Sequence, residues 1–571
     1  MMAGDSMNKT DIGNRASFIV GAFIGALVFI AIYGVRILDV TYDDWLLTNW
    51  YDLAQHHLGW MLYRKSEWHF PLGLCDKSFY PHLISVIYTD SLPLISFIGK
   101  LFSPVLPEHF QFLGFYGLFC YAMQGGCAKL LLRRFFKNEV ILNLAAVPFI
   151  FNIAFMQRMY YHTALASHYL ILIAFILFLN RNRLDTEKKR IVSWCILGSF
   201  CVTLHFVIYA MVSVMVVFFA LYDMLCRRKK GWEFVRGLCR YLIPYLAVTV
   251  FVFYVFGGFF GGISGDSYGL GIYSADLNAL FNSQGYSAIV PKLPFRQGQD
   301  EGLAYMGIMT IILLVPGTVI FVKRFRAIGR EGRILGFSLL LMGIVMTLIA
   351  LSNVISFAGV RLFEIPLPGF IFRLWSIFRA SGRFLWPVTY MVMLFVIYNV
   401  ISVSDRVNKY LFYIVLTALS LLQIYEYKGF YIDNHTAFTK KVNIELPADE
   451  MENWDLTGIR HVQFMKPYQF SEWYYDDVRD TMAGYAALAL RHDMTVSNYH
   501  FSRDNMEKIT AGIDACYYQL LDGRARKDTM YVFEKQIYEE LGLHDTFDLT
   551  DMTEVDTGSQ IVLISSDHLR L

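Results

Sequence analysis

IVSWCILGSFCVTLHFVIYAMVSVMVVFFALYDML, residues 191 to 225, is too long for one bilayer crossing, which takes about 20 apolar residues. Basic clusters close it at both ends, EKKR at 187 to 190 and RRKK at 227 to 230. Positively charged loops stay on the cytoplasmic side, and the two clusters share a side only if the run turns back on itself. Two short spans meeting near Thr203 to Tyr209 satisfy that requirement. The choice sets the parity of every later crossing.

Working outward, apolar segments of spanning length lie near residues 16 to 35, 110 to 132, 139 to 157, 163 to 180, 241 to 260, 305 to 322, 334 to 352, 385 to 402 and 410 to 426. With the pair above, the expectation is about eleven transmembrane helices. The basic loops 133 to 137, 181 to 190, 227 to 240, 323 to 333 and 404 to 409 then all face the cytoplasm. An odd count puts the N-terminus inside and the C-terminal tail outside. No small-residue cleavage site follows the first apolar run, so it is expected as a retained helix. Hydrophobic residues make up 56% of the 571-residue chain and charged ones 17%, outside the balance of a soluble protein. A net charge of +2 gives no basic face for nucleic acid. The cysteines Cys120, Cys127, Cys195 and Cys201 fall inside apolar runs and read as buried bystanders, with Cys75 and Cys516 outside.

The expected architecture is a polytopic α-helical membrane domain over residues 1–426 with external loops 36–109, 261–304 and 353–384. A short external turn runs from Arg158 to His162. Residues 427–571 lose hydrophobic density and read as a separate small external α/β domain, with strands at 459–465, 529–535 and 560–566 and a helix at 479–492.

Chemistry-bearing residues gather in the external segments. The first loop carries Asp43, Asp44, Asp52, His56 and His57 among Trp45, Trp50, Trp60 and Trp68, and is expected to lie along the outer surface as short amphipathic helices. Asp90, in SVIYTDSLPL (85–94), returns at its far end beside Tyr88. Two carboxylates at one rim suit general-base work, one taking a proton while the other orients the acceptor or binds a metal; helix capping by Asp43, Asp44, Asp90 or Ser91 competes with that role. In RLFEIPLPGFIFRLWSIFRASGR (361–383), Arg361, Arg373, Arg379 and Arg383 break the positive-inside pattern, with Glu364 as their only offset. Guanidinium groups beside the small Ala380, Ser381 and Gly382 suit a phosphate. The Gly-rich stretch 257–287, followed by Lys292, Arg296, Asp300, Glu301 and Tyr305, has the make-up of a cleft wall or lid. Candidates to line the substrate cleft are His56, His57, Trp60, Tyr88, Tyr273, Glu301 and Tyr305; His162, His168 and His205 read as hydrogen-bonded lining.

The layout resembles the GT-C class of integral-membrane glycosyltransferases. More narrowly, HHLGWMLYRKSEWHFPLG (56–73), IYTDSLPLISFIGKLFSPVLPEHFQFLG (87–114), YSADLNALFNSQGYS (273–287), EGLAYMG (301–307) and SIFRASGRFLWPVTY (376–390) are similar to the bacterial DUF6311 membrane proteins. The resemblance implies a bacterial cytoplasmic (inner) membrane location, a sugar donor built on polyprenyl phosphate, and a cell-envelope glycan (polysaccharide), lipid or protein acceptor on the external, periplasmic face. It also implies inversion at the transferred sugar and a catalytic acid in the first external loop, which maps onto Asp44, or else Asp43 or Asp52. The loop has no unambiguous DxD or ExD pair, so a divalent metal is compatible with it but no cofactor is assigned. The alternatives from other classes are a lipid-linked-sugar flippase or transporter and a non-catalytic glycan-binding scaffold. A transporter would place ionisable groups within its spans, whereas here they gather at external ends.

Overall fold

Helix stands wherever the sequence carries an apolar run. The computed structural model describes residues 2–47, 51–261, 269–442, 451, 454–466, 482–503 and 505–568. After α1 (Met2–Tyr33), the first external segment forms α2 (Tyr51–Lys65), a short antiparallel pair of strands β1 (Leu74–Cys75) and β2 (Ile84–Ser85), and α3 (Pro93–Leu101). The bundle continues with α4 (Leu113–Leu132), α5 (Glu139–Ile150), α6 (Ile153–Arg158), α7 (Tyr169–Leu179), α8 (Glu187–Leu204), α9 (Phe206–Cys226) and α10 (Gly231–Val255). It closes with α11 (Ile308–Arg324), α12 (Arg330–Leu351), α13 (Gly369–Ser376), α14 (Leu385–Ile401), α15 (Lys409–Glu426) and α16 (Lys428–Thr439). Each of the eleven expected spans holds helix, but in unequal pieces. Among the described residues six helices are long and apolar enough to cross a membrane, or seven if α15 and α16, bent 49° apart, count as one. The 139–157 segment is broken: α5 carries Pro148 inside it, and the Asn152 side chain accepts the Phe155 N–H (3.1 Å) to start α6 afresh.

The long run breaks at a single residue. His205 ends α8, and its Nδ1 accepts the Val207 N–H (3.1 Å), capping α9. The two helices run antiparallel, so Arg227 beyond α9 meets Glu187 at the start of α8 (2.5 Å). Buried Asp223 gathers Arg181 (2.6 Å), Arg190 (3.0 Å), Arg227 (3.0 Å) and the Tyr241 hydroxyl (2.7 Å) at this end. The basic loops the sequence assigns to the cytoplasm thus touch one another. Elsewhere α1 packs closely on α4, because Gly21 and Gly25 meet Gly125 and Tyr121 at backbone distance and any side chain there would collide.

At the opposite end, the loop after α12 forms a hairpin of β3 (Val354–Phe357) and β4 (Val360–Glu364). The tail carries a five-stranded sheet in the order β6-β5-β7-β9-β8, with β5 (His461–Phe464), β6 (Thr495–Val496), β7 (Thr529–Glu534), β8 (Met552–Asp556) and β9 (Gln560–Ser565). β5 is parallel to β6 and β7, and β9 is antiparallel to β7 and β8. The expected helix at 479–492 appears as Met482–Arg491; its first three expected residues lie outside the described ones, as do Trp50 and residues 262–268 of the Gly-rich stretch.

One expectation is corrected. The first loop does not lie on the surface: α2 is buried along most of its length, including Gln55, His56 and His57. The C-terminal domain is the cause, since it docks on α2. The Tyr499 hydroxyl donates to the Ala54 carbonyl (3.1 Å), Gln55 donates to the His500 carbonyl (3.2 Å), and Lys65 donates to the Leu490 carbonyl (2.8 Å). Tyr80 stacks on His461 at 3.9 Å, and the Ser502 N–H meets the Tyr88 carbonyl (2.7 Å).

Candidate active site

Two close approaches build the site. On α2, Gly59 faces the turn Thr89–Asp90–Ser91, where a Cβ would lie 2.5 Å from Thr89 and 2.6 Å from the Ser91 hydroxyl. Absence of that Cβ lets the turn sit against the helix that carries Asp52. Asp90 itself adopts the left-handed region (φ 53°), which Asp tolerates better than most residues. Its carboxylate caps no helix. The N-cap of α3 is Leu92, with no side-chain cap, and Ser91 pairs with Thr89 instead (2.8 Å). The second approach joins the turns before α11 and α14. A Cβ on Gly382 would lie 2.6 Å from Gly302 Cα, and this contact sets Arg383 on Glu301.

Glu301 is the hub of the charge network. Its Oε2 accepts from Arg383 Nε (3.0 Å) and Nη2 (2.7 Å) and lies 2.8 Å from Arg158 Nη2. Burial raises its pKa, but Arg158 and Arg383 outweigh burial and pull it down to about 2. It is therefore ionised at any working pH. The opposite holds for the two aspartates. Burial, followed by the Glu301 charge, pushes Asp52 up to about 7 against the pull of Arg383, Arg158 and Arg379. Burial, followed by Asp52, pushes Asp90 up to about 7 against Arg379, Arg383 and Arg503. His162 Nε2 lies between them, 4.0 Å from Asp52 and 3.7 Å from Asp90. Two coupled carboxylates in one site lose their protons in turn. Near neutrality the pair therefore holds one proton and one negative charge.

The imidazoles around this pair are neutral. His56, whose ring nitrogens have no hydrogen-bond partner among the described residues, packs its ring 5.1 Å from that of His162, which in turn lies 5.2 Å from that of His205. Burial brings His56 and His500 down to about 3. Burial and then His56 and His205 hold His162 well below its ordinary value. Asp90, His162 and His205 offer ligand atoms within 4.8 Å of one another, a set of two imidazoles and a carboxylate that could hold zinc. His205 does not fit that role as it stands. Its Nδ1 accepts the Val207 N–H, so the neutral ring carries its proton on Nε2, the atom that would have to bind the ion.

The structure divides the sequence candidates. Asp52, Asp90, Glu301, Arg379 and Arg383 come together, with His56 beside them. Asp43 and Asp44 belong to a different group: Asp43 meets His57 at 3.1 Å and His109 at 3.7 Å. Burial raises the Asp43 pKa, but His57 and His109 outweigh it and hold the group below its ordinary value. Asp44 is raised by burial and by Asp43 and faces Lys441, His109 and Arg491, none of which belongs to the arginine group. Arg361 pairs with Glu364, and Arg373 is exposed on α13. Trp60 packs inside between α2 and α3, its indole N–H on the Phe110 carbonyl (3.0 Å). Tyr305 bonds Glu426 (2.7 Å), Tyr88 anchors to the Gly258 carbonyl (2.6 Å), and Tyr273 receives the Gly382 N–H on its carbonyl (3.0 Å). Sequence reasoning gave no role to Arg158, although a cation at the end of an apolar run is a signal. Arg503 and His500 come from the tail, and nothing local in the sequence marks them.

No protein of curated function matches the chain. A solved structure, the crystal structure of ArnT from Cupriavidus metallidurans bound to undecaprenyl phosphate, aligns over 96% of this chain and 97% of its own at 12% identity and a TM-score of 0.37. The model of the family described as "Domain of unknown function (DUF6311)" matches residues 22–428, and that of the DUF6311 C-terminal domain matches residues 454–555. With most of its length covered in this way, the chain belongs to the DUF6311 family.

Proposed function

We propose that the protein is an inverting glycosyltransferase of the GT-C type. It moves a sugar from a polyprenyl-phosphate donor to a cell-envelope glycan, lipid or protein acceptor at the external face of the bacterial cytoplasmic membrane. The charge balance of the site carries the reading. Arg158, Arg379, Arg383 and Arg503 surround Glu301 and the Asp52–Asp90 pair. With Glu301 ionised and one proton on the pair, the four guanidinium groups outnumber the anions even when neighbouring Asp300 is counted. A departing polyprenyl phosphate is a dianion, whereas the donor phosphodiester carries one charge, so such a site favours the transition state over the ground state.

In this mechanism Asp52 takes the proton of an acceptor hydroxyl. The hydroxyl oxygen forms a bond to the anomeric carbon as the bond from that carbon to the phosphate oxygen breaks, and the bonding pair leaves with the phosphate. Asp90, holding the shared proton, donates a hydrogen bond that orients the acceptor. Arg379 and Arg503 meet the phosphate, while Arg158 and Arg383 are held in place by Glu301. A base whose pKa lies near 7 is ionised and still basic at the working pH. Assigning the base to Asp52 moves it from Asp44, the first choice on sequence grounds, because Asp44 faces Lys441, His109 and Arg491 and lies outside the arginine group around Glu301.

Purified protein in detergent, incubated with a panel of polyprenyl-phosphate sugars and an acceptor, tests the reading through mass-spectrometric detection of released polyprenyl phosphate. Release by the wild type, lost in Asp52→Asn and retained in Asp44→Asn, is expected. Release that survives Asp52→Asn would remove Asp52 as base, and no release from any donor would remove the transfer reaction.

A further inference from the structure

Beside the charge network lies a cleft of about 520 Å³ that the mechanism above does not use. It falls within the size range of small-molecule sites. Three segments wall it: the end of α6 with the turn after it, the loop at 284–292, and the start of α16. The loop wall is preorganised. Gln284 (φ 53°) and Gly285 (φ 98°) take left-handed conformations there, and the Asn282 carboxamide oxygen accepts from the Gln284 N–H (3.0 Å) and the Leu293 N–H (3.1 Å). Ser287 donates to buried Glu426 (2.7 Å), whose backbone carbonyl receives the Ala288 N–H (2.8 Å).

The lining combines aromatic faces with cations. Tyr161, Tyr286 and Phe430 present rings, the last two 6.2 Å apart, and exposed Lys292 and Lys428 outnumber the single acid Asp433. Aromatic rings stack against the C–H faces of pyranoses, and ammonium groups meet carboxylates or phosphates as point charges. The cleft borders the charge network through Tyr161. The Tyr161 ring lies 5.4 Å from the Arg158 guanidinium, and Tyr161 is within electrostatic range of Asp52 and Glu301. A molecule seated there lies next to the charge network without occupying it.

We propose that this cleft is the acceptor subsite and that its occupant is an acidic saccharide, one whose pyranose rings carry carboxylate or phosphate groups. The assignment rests on the glycosyl-transfer reading for the word acceptor, and on the cleft alone for the binding of an acidic saccharide.

The experiment uses the full-length protein in detergent with a hexuronic-acid tetrasaccharide and its neutral hexose counterpart as probes. Binding is measured by calorimetry, and donor-only hydrolysis is measured separately. Tighter binding of the acidic probe, by about tenfold or more (about 1.4 kcal/mol), is expected. Lys292→Gln combined with Lys428→Gln should erase that preference, and Tyr286→Ala should weaken both probes, with donor-only release of polyprenyl phosphate unchanged in each. Both lysines are exposed, so these variants fold. Equal binding of the acidic probe by wild type and variants would overturn the proposal. Loss of donor hydrolysis in the lysine variant would also overturn it, assigning the cleft to the donor. Probe binding that the variants abolish, in a protein that cleaves no donor, would keep the acidic-saccharide site and remove the transferase reading.

Discussion

Arg383 Nη2 lies 2.7 Å from Glu301 Oε2 because Gly382 and Gly302 meet with no side chain between them. Arg158 closes on the same carboxylate from α6 (2.8 Å). Two buried cations thus depend on one anion. Glu301→Gln would leave both uncompensated, and breaking a buried pair in this way costs about 3–5 kcal/mol. Thermal unfolding in detergent should show a clear drop in Tm, with activity lost; an unchanged Tm would mean the arginines find other partners.

The close fit of Gly59 against Thr89 and Ser91 makes a second test. Gly59→Val must push the 89–91 turn away from α2, an overpacking cost of about 1–3 kcal/mol. The displaced group is Asp90, so kcat should fall at least tenfold in protein that still migrates as folded by size exclusion. Wild-type turnover in that variant would take Asp90 out of the mechanism.

The pH profile follows from the raised carboxylates. A base held near 7 is protonated in acid, and Asp90, raised to about the same value, loses its orienting proton in base, so kcat/KM for transfer should rise and then fall around a maximum near pH 7. A profile flat from pH 5 to 9 would contradict a titrating base.

Linkage gives the opposite trend for stability. The folded Asp52 binds its proton more tightly than the unfolded one, so its contribution to stability is present below the unfolded value near 3.8 and is lost as pH rises through about 7. Asp52→Asn removes that loss. Its Tm should match the wild type below about pH 4 and exceed it by a margin that grows up to about pH 7 and is fully present at pH 8. A variant less stable than wild type at pH 8 would show that the ionised carboxylate is stabilised in the fold.

Tyr499, buried with its hydroxyl on the Ala54 carbonyl, pins the tail to α2. Tyr499→Ala removes a buried aromatic, a change that costs about 3–5 kcal/mol in a packed core. It should loosen His500 and Arg503 together. Limited proteolysis should then cut between residues 443 and 505 faster than in wild type, with transfer reduced. Equal cleavage rates would mean the dock is held elsewhere.

Several members of this site were legible one at a time. Arg379 and Arg383 stood out as positive residues on the wrong side of the membrane, Asp90 as a carboxylate at a span edge, and Glu301 as an acid after a glycine-rich stretch. Asp52 was named among three acids of one loop. Their grouping was not legible, because Asp43, Asp44 and Asp52 lie within ten residues yet point into two charge environments. Only α2, starting at Tyr51, turns Asp52 toward Glu301. Likewise, Trp60 looked like an interfacial residue by type, and its burial is due to packing with α3.

The membrane architecture was determined by the sequence itself, through apolar runs, the basic clusters beside them and the break at His205, because crossing a bilayer depends on local hydropathy and local charge. The site was decided only by the tertiary structure. Its carboxylates come from α2 and the turn before α3, its cations from α6, the turn before α14 and the tail, and its hub from the loop before α11. Segments so far apart meet through close approaches at glycines, Gly59 against the Ser91 hydroxyl and Gly382 against Gly302, and a near-neutral aspartate arises only once burial and neighbouring charge are both in place.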